Sequence, residues 1–187
     1  MAQAYKNCEP IDKAYNTLLK ARPTAVDLKN AIDFVNESDD PSLAATEFVE
    51  NIVRDCEEIK RHGAELINRR EGILTHCNAG WLAFVEEGTG SATSPIYGCV
   101  EKVITGTDRI IAKTGHVFNK IGTYSLAVLA KYHGIPFYIA APLSTLDRTT
   151  TNYKTVKIEN RCENEVKHAW GQTLHMEEDI EVSIANK

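Results

Sequence analysis

The sequence predicts an α/β protein, with a helical lobe over residues 1–70 followed by a domain over 71–187 built on a parallel sheet flanked by helices. Apolar residues recur at helical spacing of three and four before Gly72, whereas short apolar runs bounded by glycine and proline follow it. Strand–helix–strand order with such connections is typical of a parallel sheet with right-handed crossovers. A chain of 187 residues that is 43% hydrophobic can form a buried core without cross-links.

Three helices are predicted in the first lobe. Residues 1–22 form one helix with an irregular start, and Pro23 then interrupts it and opens a second helix over 24–36. A long amphipathic helix follows over 44–69, because its apolar side chains step along one face. The lobe therefore offers helical faces against which a sheet can pack.

Three buried strands are predicted in the second domain, over 73–76, 103–106 and 137–141, and an edge strand over 156–158. A helix over 119–133 lies between the second and third strands and ends before a glycine. Ligands of open parallel sheets bind beyond the carboxyl ends of the strands. The residues that directly follow each strand are thus the first candidates for a site.

Composition excludes several classes of function. The 21 basic and 26 acidic residues give a net charge of -5, which argues against nucleic-acid binding. No apolar run approaches the ~20 residues of a membrane span, and the polar start carries no secretory signal. Five widely spaced cysteines without a CxxC pair indicate neither a disulfide framework nor a zinc site. A reduced, cytoplasmic protein is expected.

Cys77 is the first candidate for chemistry. It follows a predicted buried strand, and the small residues at 78–80 after it would let backbone approach a ligand. The N-terminus of a following helix would favour the thiolate. The alternative is a small buried hydrophobic residue, which is what a free cysteine usually is.

Asp108 follows the second strand, where a carboxylate faces the ligand edge or else caps a helix or forms a structural ion pair. Arg109 can pair with Asp108 or with a phosphate. His76 is either a proton carrier or, more commonly, a hydrogen-bonded packing residue. Asp147 is interpreted as a turn cap rather than a ligand contact.

Asn119 and Lys120 precede Gly122 and Thr123 at a predicted helix start. Free backbone N–H groups and the helix dipole attract anions there, and a lysine adds a positive charge. The alternative is an ordinary helix N-terminus without a ligand.

Together these motifs resemble the methylthioribose-1-phosphate isomerases. The resemblance rests on Thr-His-Cys-Asn-Ala-Gly at 75–80, Gly-Thr-Asp-Arg-Ile at 106–110, Asn-Lys-Ile-Gly-Thr-Tyr at 119–124 and the run over 133–145. Arg22 opens an Arg-Pro-Thr-Ala-Val run that looks like a motif of the same family's helical lobe. The superfamily includes ribose-1,5-bisphosphate isomerases and regulatory subunits of a translation-initiation nucleotide-exchange factor. Its second domain is Rossmann-like.

The resemblance implies that Cys77 and Asp108 are catalytic, that Asn119 and Lys120 bind substrate, and that Arg22 contacts the substrate's phosphate. The implied reaction is isomerisation of 5-methylthioribose 1-phosphate to 5-methylthioribulose 1-phosphate, a step of methionine salvage. No metal or organic cofactor is implied. A cytoplasmic homodimer with a phosphorylated pentose as substrate is expected by analogy.

The sequence also departs from the family pattern. No Arg-Gly-Ala-Pro-Ala-Ile-Gly segment precedes Arg22, and the segment before Val103 is shorter than in the family, so about two family strands are expected to be missing. A non-catalytic or inactive truncated superfamily member, or an isomerase of a related ribose phosphate, is therefore the alternative.

Overall fold

A computed structural model describes residues 1–22, 25–77 and 100–158, together with the backbone of four short strands between 160 and 185. Five α-helices lie in the described parts of the chain: α1 (Ala2–Lys6), α2 (Ile11–Ala21), α3 (Val26–Asn36), α4 (Pro41–Leu66) and α5 (Thr123–Tyr132). Among the described residues, no helix combines the length and the hydropathy needed to cross a bilayer.

The prediction of one helix over 1–22 is wrong, because the chain breaks between α1 and α2. Cys8 adopts a left-handed conformation with φ 54°, which ends the first helix. Pro10 is extended and serves as the N-cap residue of α2. A proline cannot donate the backbone hydrogen bond that a continuous helix would need at this point.

Helices α3 and α4 pack against each other, and their predicted positions are confirmed to within a few residues. The α4 helix begins at Pro41, earlier than predicted, because Asp40 caps it. The Asp40 Oδ1 atom accepts hydrogen bonds from the backbone N–H groups of Ser42 at 3.1 Å and Leu43 at 3.0 Å. Pro23, which was predicted to open α3, lies outside the described residues.

A three-stranded parallel sheet with the order β1-β2-β5 confirms the predicted parallel arrangement. Its strands are β1 (Ile73–Leu74), β2 (Lys102–Thr105) and β5 (Phe137–Ile139). The central strand β2 buries Val103, Ile104 and Thr105, so the sheet's core side chains come mainly from it. Helix α5 connects β2 and β5 in sequence, as the strand–helix–strand pattern predicts.

A second three-stranded sheet was not predicted. It has the order β4-β3-β6 and consists of β3 (Arg109–Ile111), β4 (Val117–Phe118) and β6 (Leu146–Asp147). Strand β3 pairs antiparallel with β4 and parallel with β6, and Ile111 on β3 is fully buried. Strands of two or three residues carry too little periodicity to be recognised in a sequence.

The predicted edge strand over 156–158 is also wrong. This region contains a 3₁₀ turn at Tyr153–Thr155 instead, where the Asn152 side chain accepts a hydrogen bond from the Lys154 N–H at 3.0 Å. Two antiparallel strand pairs follow: β7 (Asn160–Arg161) with β10 (Ile184–Ala185), and β8 (His168–Ala169) with β9 (Gln172–Thr173).

The helical part contacts the turn that follows β5. The Asn30 side chain on α3 donates to the Ser144 carbonyl at 2.7 Å, and Asp55 on α4 accepts from the Leu143 N–H at 2.8 Å. These bonds join the two parts of the chain at the carboxyl end of the parallel sheet. The domain boundary at residue 70 stays a prediction.

Candidate functional site

The ends of β1 and β2 lie at one edge of the parallel sheet, because the two strands are adjacent and parallel. Cys77 follows β1 and Asp108 follows β2, so the sheet carries both to the same edge. Cys77 is half-buried and has φ 72°. A left-handed conformation is uncommon for a residue with a Cβ atom and is concentrated at functional turns. The helix predicted to begin after Cys77 falls outside the described residues.

Asp108 lies where the helical part meets this edge. Its carbonyl accepts from the Val26 N–H at 3.4 Å, at the start of α3, and its N–H donates to the Phe118 carbonyl at 2.9 Å. An Arg22 Nη2 atom lies 3.6 Å from Asp108 Oδ1. The two side chains remain 46% and 23% exposed, so a ligand can reach both. The structure therefore brings together two of the predicted site residues.

Arg109 points elsewhere, although it follows Asp108 directly. Its Nη1 donates to Asp147 Oδ2 at 2.8 Å, a partner that the sequence did not indicate. The other Asp147 oxygen accepts from Thr149 N–H, Thr149 Oγ1 and Thr150 N–H, all at 2.9 Å. This geometry confirms that Asp147 caps a turn.

Hydrogen-bond donors keep the Asp147 carboxyl ionised. Burial by itself raises the pKa of Asp147, but hydrogen bonds from Thr150 and Thr149 outweigh it and lower the pKa to about 2. A carboxylate that is ionised, buried and fully engaged in this way stabilises the second sheet and holds Arg109 beside it.

Asn119 is almost completely buried at the edge of the site, with 5% exposure. Its Nδ2 donates to Thr105 Oγ1 at 3.0 Å and to Thr123 Oγ1 at 3.1 Å. Because a side-chain amide has two N–H donors, both are used inside the protein. Only the Oδ1 acceptor of Asn119 is left to meet a ligand in this arrangement.

Lys120 lies in the turn before α5. Its carbonyl accepts from Thr123 N–H at 3.1 Å and from Thr123 Oγ1 at 2.7 Å. The helix starts at Thr123 rather than at 119 as predicted, because Gly122 is left-handed with φ 97° and caps it. Lys120 is half-buried beside this helix start.

His76 links the two ends of the site. Its Nε2 lies 2.8 Å from the Ile121 carbonyl and donates to it, since a carbonyl only accepts. A Cβ atom at Gly122 would lie 3.3 to 3.4 Å from the His76 ring, so the ring packs directly on this turn. The interpretation of His76 as a hydrogen-bonded packing residue is confirmed.

Thr105 is a residue of the site that the sequence did not indicate. It is the last residue of β2, has 1% exposure, and its Oγ1 donates to the His76 carbonyl at 3.3 Å while accepting from Asn119. The one available signal was a hydroxyl side chain at the end of an otherwise apolar strand. Among the described residues, no group of three His, Cys, Asp or Glu side chains could hold a metal ion.

The chain is similar to known proteins in sequence. The sequence pattern of the initiation factor 2 subunit family matches residues 4–92 and 89–186. The chain is 35% identical to a methylthioribose-1-phosphate isomerase of Nitratidesulfovibrio vulgaris over 84% of its own length, and it spans 63% of that relative's length.

Two solved structures share the mixed α/β fold. The 5-methylthioribose 1-phosphate isomerase of Pyrococcus horikoshii is 29% identical, with a TM-score of 0.70 over 94% of this chain and 65% of that one. The delta subunit of translation initiation factor eIF-2B from A. fulgidus is 28% identical, with a TM-score of 0.65 over 94% of this chain and 68% of that one. The same fold thus occurs in an enzyme and in a translation-factor subunit.

Proposed function

The chain belongs to the initiation factor 2 subunit family, and from this premise we propose that it is an isomerase that converts 5-methylthioribose 1-phosphate to 5-methylthioribulose 1-phosphate in methionine salvage. The observation that carries the proposal is the approach of Arg22 to Asp108, at 3.6 Å, on the sheet edge that also carries Cys77. A cation suited to phosphate then lies beside a carboxylate, on the edge where the strand before the Cys77 thiol also ends.

The reaction requires groups that exchange protons with the substrate. The phosphate on C1 prevents the ring from opening as a free sugar does, so the bond between C1 and the ring oxygen must break as that oxygen gains a proton. One hydrogen then passes from C2 to C1, and the C2 hydroxyl loses its proton to become the ketone. The proton lost balances the proton gained, and the substrate is its own reductant and oxidant.

Cys77 and Asp108 are the proposed acid–base pair for these two proton transfers. A positioned acid or base typically contributes about 10²–10⁴-fold to the rate. The groups come from adjacent strand ends, which hold them on a rigid part of the fold. No external oxidant or reductant is needed, because every atom and electron of the product comes from the substrate.

Arg22 and Lys120 are proposed to bind the phosphate, and Asn119 to complete the substrate site. Arginine binds phosphate through two parallel hydrogen bonds, and lysine through its point charge. Arg22 is half exposed and its carboxylate partner is 3.6 Å away, so its remaining N–H donors are free to turn toward a more highly charged phosphate. On substrate binding, Arg22 would then exchange its contact with Asp108 for a stronger contact with the phosphate.

Three further proposals follow from the resemblance: a homodimer, a cytoplasmic location, and a division at residue 70 into a helical lobe and a Rossmann-like domain. The last is supported by the succession of four helices ending at Leu66 and a first strand beginning at Ile73. Sedimentation of the purified chain tests the dimer, and a purely monomeric species at micromolar concentration would contradict it.

The isomerase proposal is tested by assaying the purified chain with 5-methylthioribose 1-phosphate, coupled to detection of the ketose. We expect turnover by the unmodified chain and a loss of about 10²-fold or more in kcat for Cys77→Ser and for Asp108→Asn. Cys8→Ser is the matched control, since Cys8 is an exposed cysteine in the turn between α1 and α2, and it should retain the rate. Absence of turnover at high protein concentration would overturn the proposal.

A second candidate function is a non-catalytic subunit that binds a ribose phosphate. Similarity to the A. fulgidus eIF-2B delta subunit and the 63% coverage of the isomerase relative favour it. Calorimetric titration separates the two, because this function predicts binding of 5-methylthioribose 1-phosphate without conversion. Ribose 1-phosphate and ribose 1,5-bisphosphate in the same assays test a related substrate.

A further inference from the structure

A closed ring of hydrogen bonds joins the end of β1 to the turn before α5. Thr105 Oγ1 donates toward the carbonyls of His76 at 3.3 Å and Gly106 at 3.4 Å, and it accepts from Asn119 Nδ2 at 3.0 Å. Asn119 also donates to Thr123 Oγ1 at 3.1 Å, and Thr123 Oγ1 donates to the Lys120 carbonyl at 2.7 Å. The His76 imidazole closes the ring by donating to the Ile121 carbonyl at 2.8 Å.

The two ends of this ring are the peptide groups next to the predicted site residues. The His76 carbonyl belongs to the peptide unit that contains the Cys77 N–H, so a bond to this oxygen restrains the φ angle of Cys77. That angle is 72°, a conformation that persists only when surrounding contacts hold it. At the other end, Thr123 donates to the Lys120 carbonyl and so fixes the direction of the peptide unit between Lys120 and Ile121.

We propose that Thr105 is a positioning residue, which sets the place of the Cys77 thiol relative to the Asn119–Lys120 turn through its bonds to the His76 carbonyl and to Asn119. The inference deepens the proposed function and rests on it. Thr105 has 1% exposure, so it acts on the site through these neighbours and not by touching substrate. Asn119 transmits the restraint, because both of its N–H donors are committed to threonine hydroxyls.

A methyl group cannot replace the hydroxyl of Thr105, because a methyl group neither donates nor accepts hydrogen bonds. The ring needs one group that both donates to a carbonyl and accepts from an amide at the end of β2, and only a hydroxyl does so in this space. Valine keeps the shape of threonine and its preference for strands, but it removes the acceptor of the Asn119 N–H and the donor to the His76 carbonyl. Serine keeps both bonds and removes only a methyl group.

The test compares Thr105→Val with Thr105→Ser, with Thr145→Val as the matched control. Thr145 is likewise buried, at 6% exposure, and its Oγ1 donates to the Pro142 carbonyl at 2.8 Å, outside the ring. Two measurements are made on folded protein: kcat and KM with 5-methylthioribose 1-phosphate, and the rate of Cys77 alkylation by iodoacetamide, mapped by mass spectrometry. Thr123→Val cuts the same ring elsewhere and serves if Thr105→Val does not fold.

We expect Thr105→Val to lose about tenfold to a hundredfold in kcat, since small misplacements of reacting groups have effects of this size. Cys77 in this variant should react at least about threefold faster with iodoacetamide, because its peptide is released from the ring. Thr105→Ser and Thr145→Val should each stay within about threefold of the unmodified chain in both measurements.

The inference is overturned if Thr105→Val matches Thr145→Val in kcat and alkylation, or if Thr105→Ser is as impaired as Thr105→Val. Failure of the isomerase proposal is recognised separately, because the unmodified chain would then show no turnover. In that case the alkylation rates alone decide whether Thr105 positions Cys77, and equal rates in all variants refute it.

Discussion

Replacing Asp147 with asparagine removes a buried charge that four donors hold in place. One oxygen accepts from Arg109 at 2.8 Å, and the other accepts from Thr149 and Thr150 at 2.9 Å. The residue has 3% exposure and joins strand β6 to β3 of the second sheet. An amide keeps the shape but loses the negative charge, and its Nδ2 is a donor that must face either Arg109 or the Thr149 and Thr150 donors.

The magnitude follows from the pKa of Asp147, which lies at about 2 in place of the ordinary 3.8. A difference of this size corresponds to about 2 kcal/mol of stability at neutral pH. A carboxyl whose folded pKa is depressed stabilises the fold above its unfolded pKa and loses this contribution as the pH falls through the folded value. The contribution of Asp147 is therefore complete above about pH 5 and roughly half lost near pH 3.

Urea unfolding of the unmodified chain and of Asp147→Asn at pH 7 and pH 3 measures this contribution. The difference in unfolding free energy between them should be at least about 2 kcal/mol at pH 7 and about 1 kcal/mol smaller at pH 3. Asp39→Asn, at an exposed position, should change stability by less than about 0.5 kcal/mol. A difference that is absent at pH 7, or equal at both pH values, would refute the assignment of stability to the Asp147 charge.

Three further predictions concern helix ends and glycines. Asp40→Ala should lower the unfolding free energy by about 1 kcal/mol in urea titrations, because α4 loses its cap, whereas an equal loss for Asp39→Ala would contradict this cause. Gly122→Ala should destabilise by more than about 1 kcal/mol, since φ is 97° and the new Cβ would lie 3.3 Å from the His76 ring; an unchanged melting temperature would show that the turn adapts. Gly63→Ala should stabilise by about 0.5–1 kcal/mol, because α4 has open space there, and a lower melting temperature would contradict it.

The longer elements could be predicted from the sequence because their patterns are local. Helix α4 repeats its apolar face over many turns, and the runs that became β2 and β5 are apolar and bounded by turn residues. The second sheet could not be predicted, since its strands have two or three residues and pair across long separations, such as Ile110 with Leu146. Only tertiary pairing distinguishes such segments from loops.

Some features of the candidate site could likewise be predicted from the sequence, whereas others could not. The placement of Cys77 and Asp108 at one sheet edge follows from each residue's position directly after a buried strand, which the sequence displays. The sequence did not indicate that Arg109 would pair with Asp147, because Asp147 lies 38 positions further along the chain whereas Asp108 is the direct neighbour of Arg109. The choice depends on which carboxylate the second sheet buries.

By itself, the sequence determined the longer helices, the strands of the parallel sheet and the reactive side chains that follow these strands, because hydrophobic periodicity and turn residues act over a few neighbours. Tertiary structure alone decided that Arg22 would reach Asp108 and that the Thr105 hydroxyl would connect His76 to Asn119. These contacts join residues far apart in the chain, and a hydrogen bond depends on distances of a few tenths of an ångström. Such distances are set only when the packed core fixes every element in place.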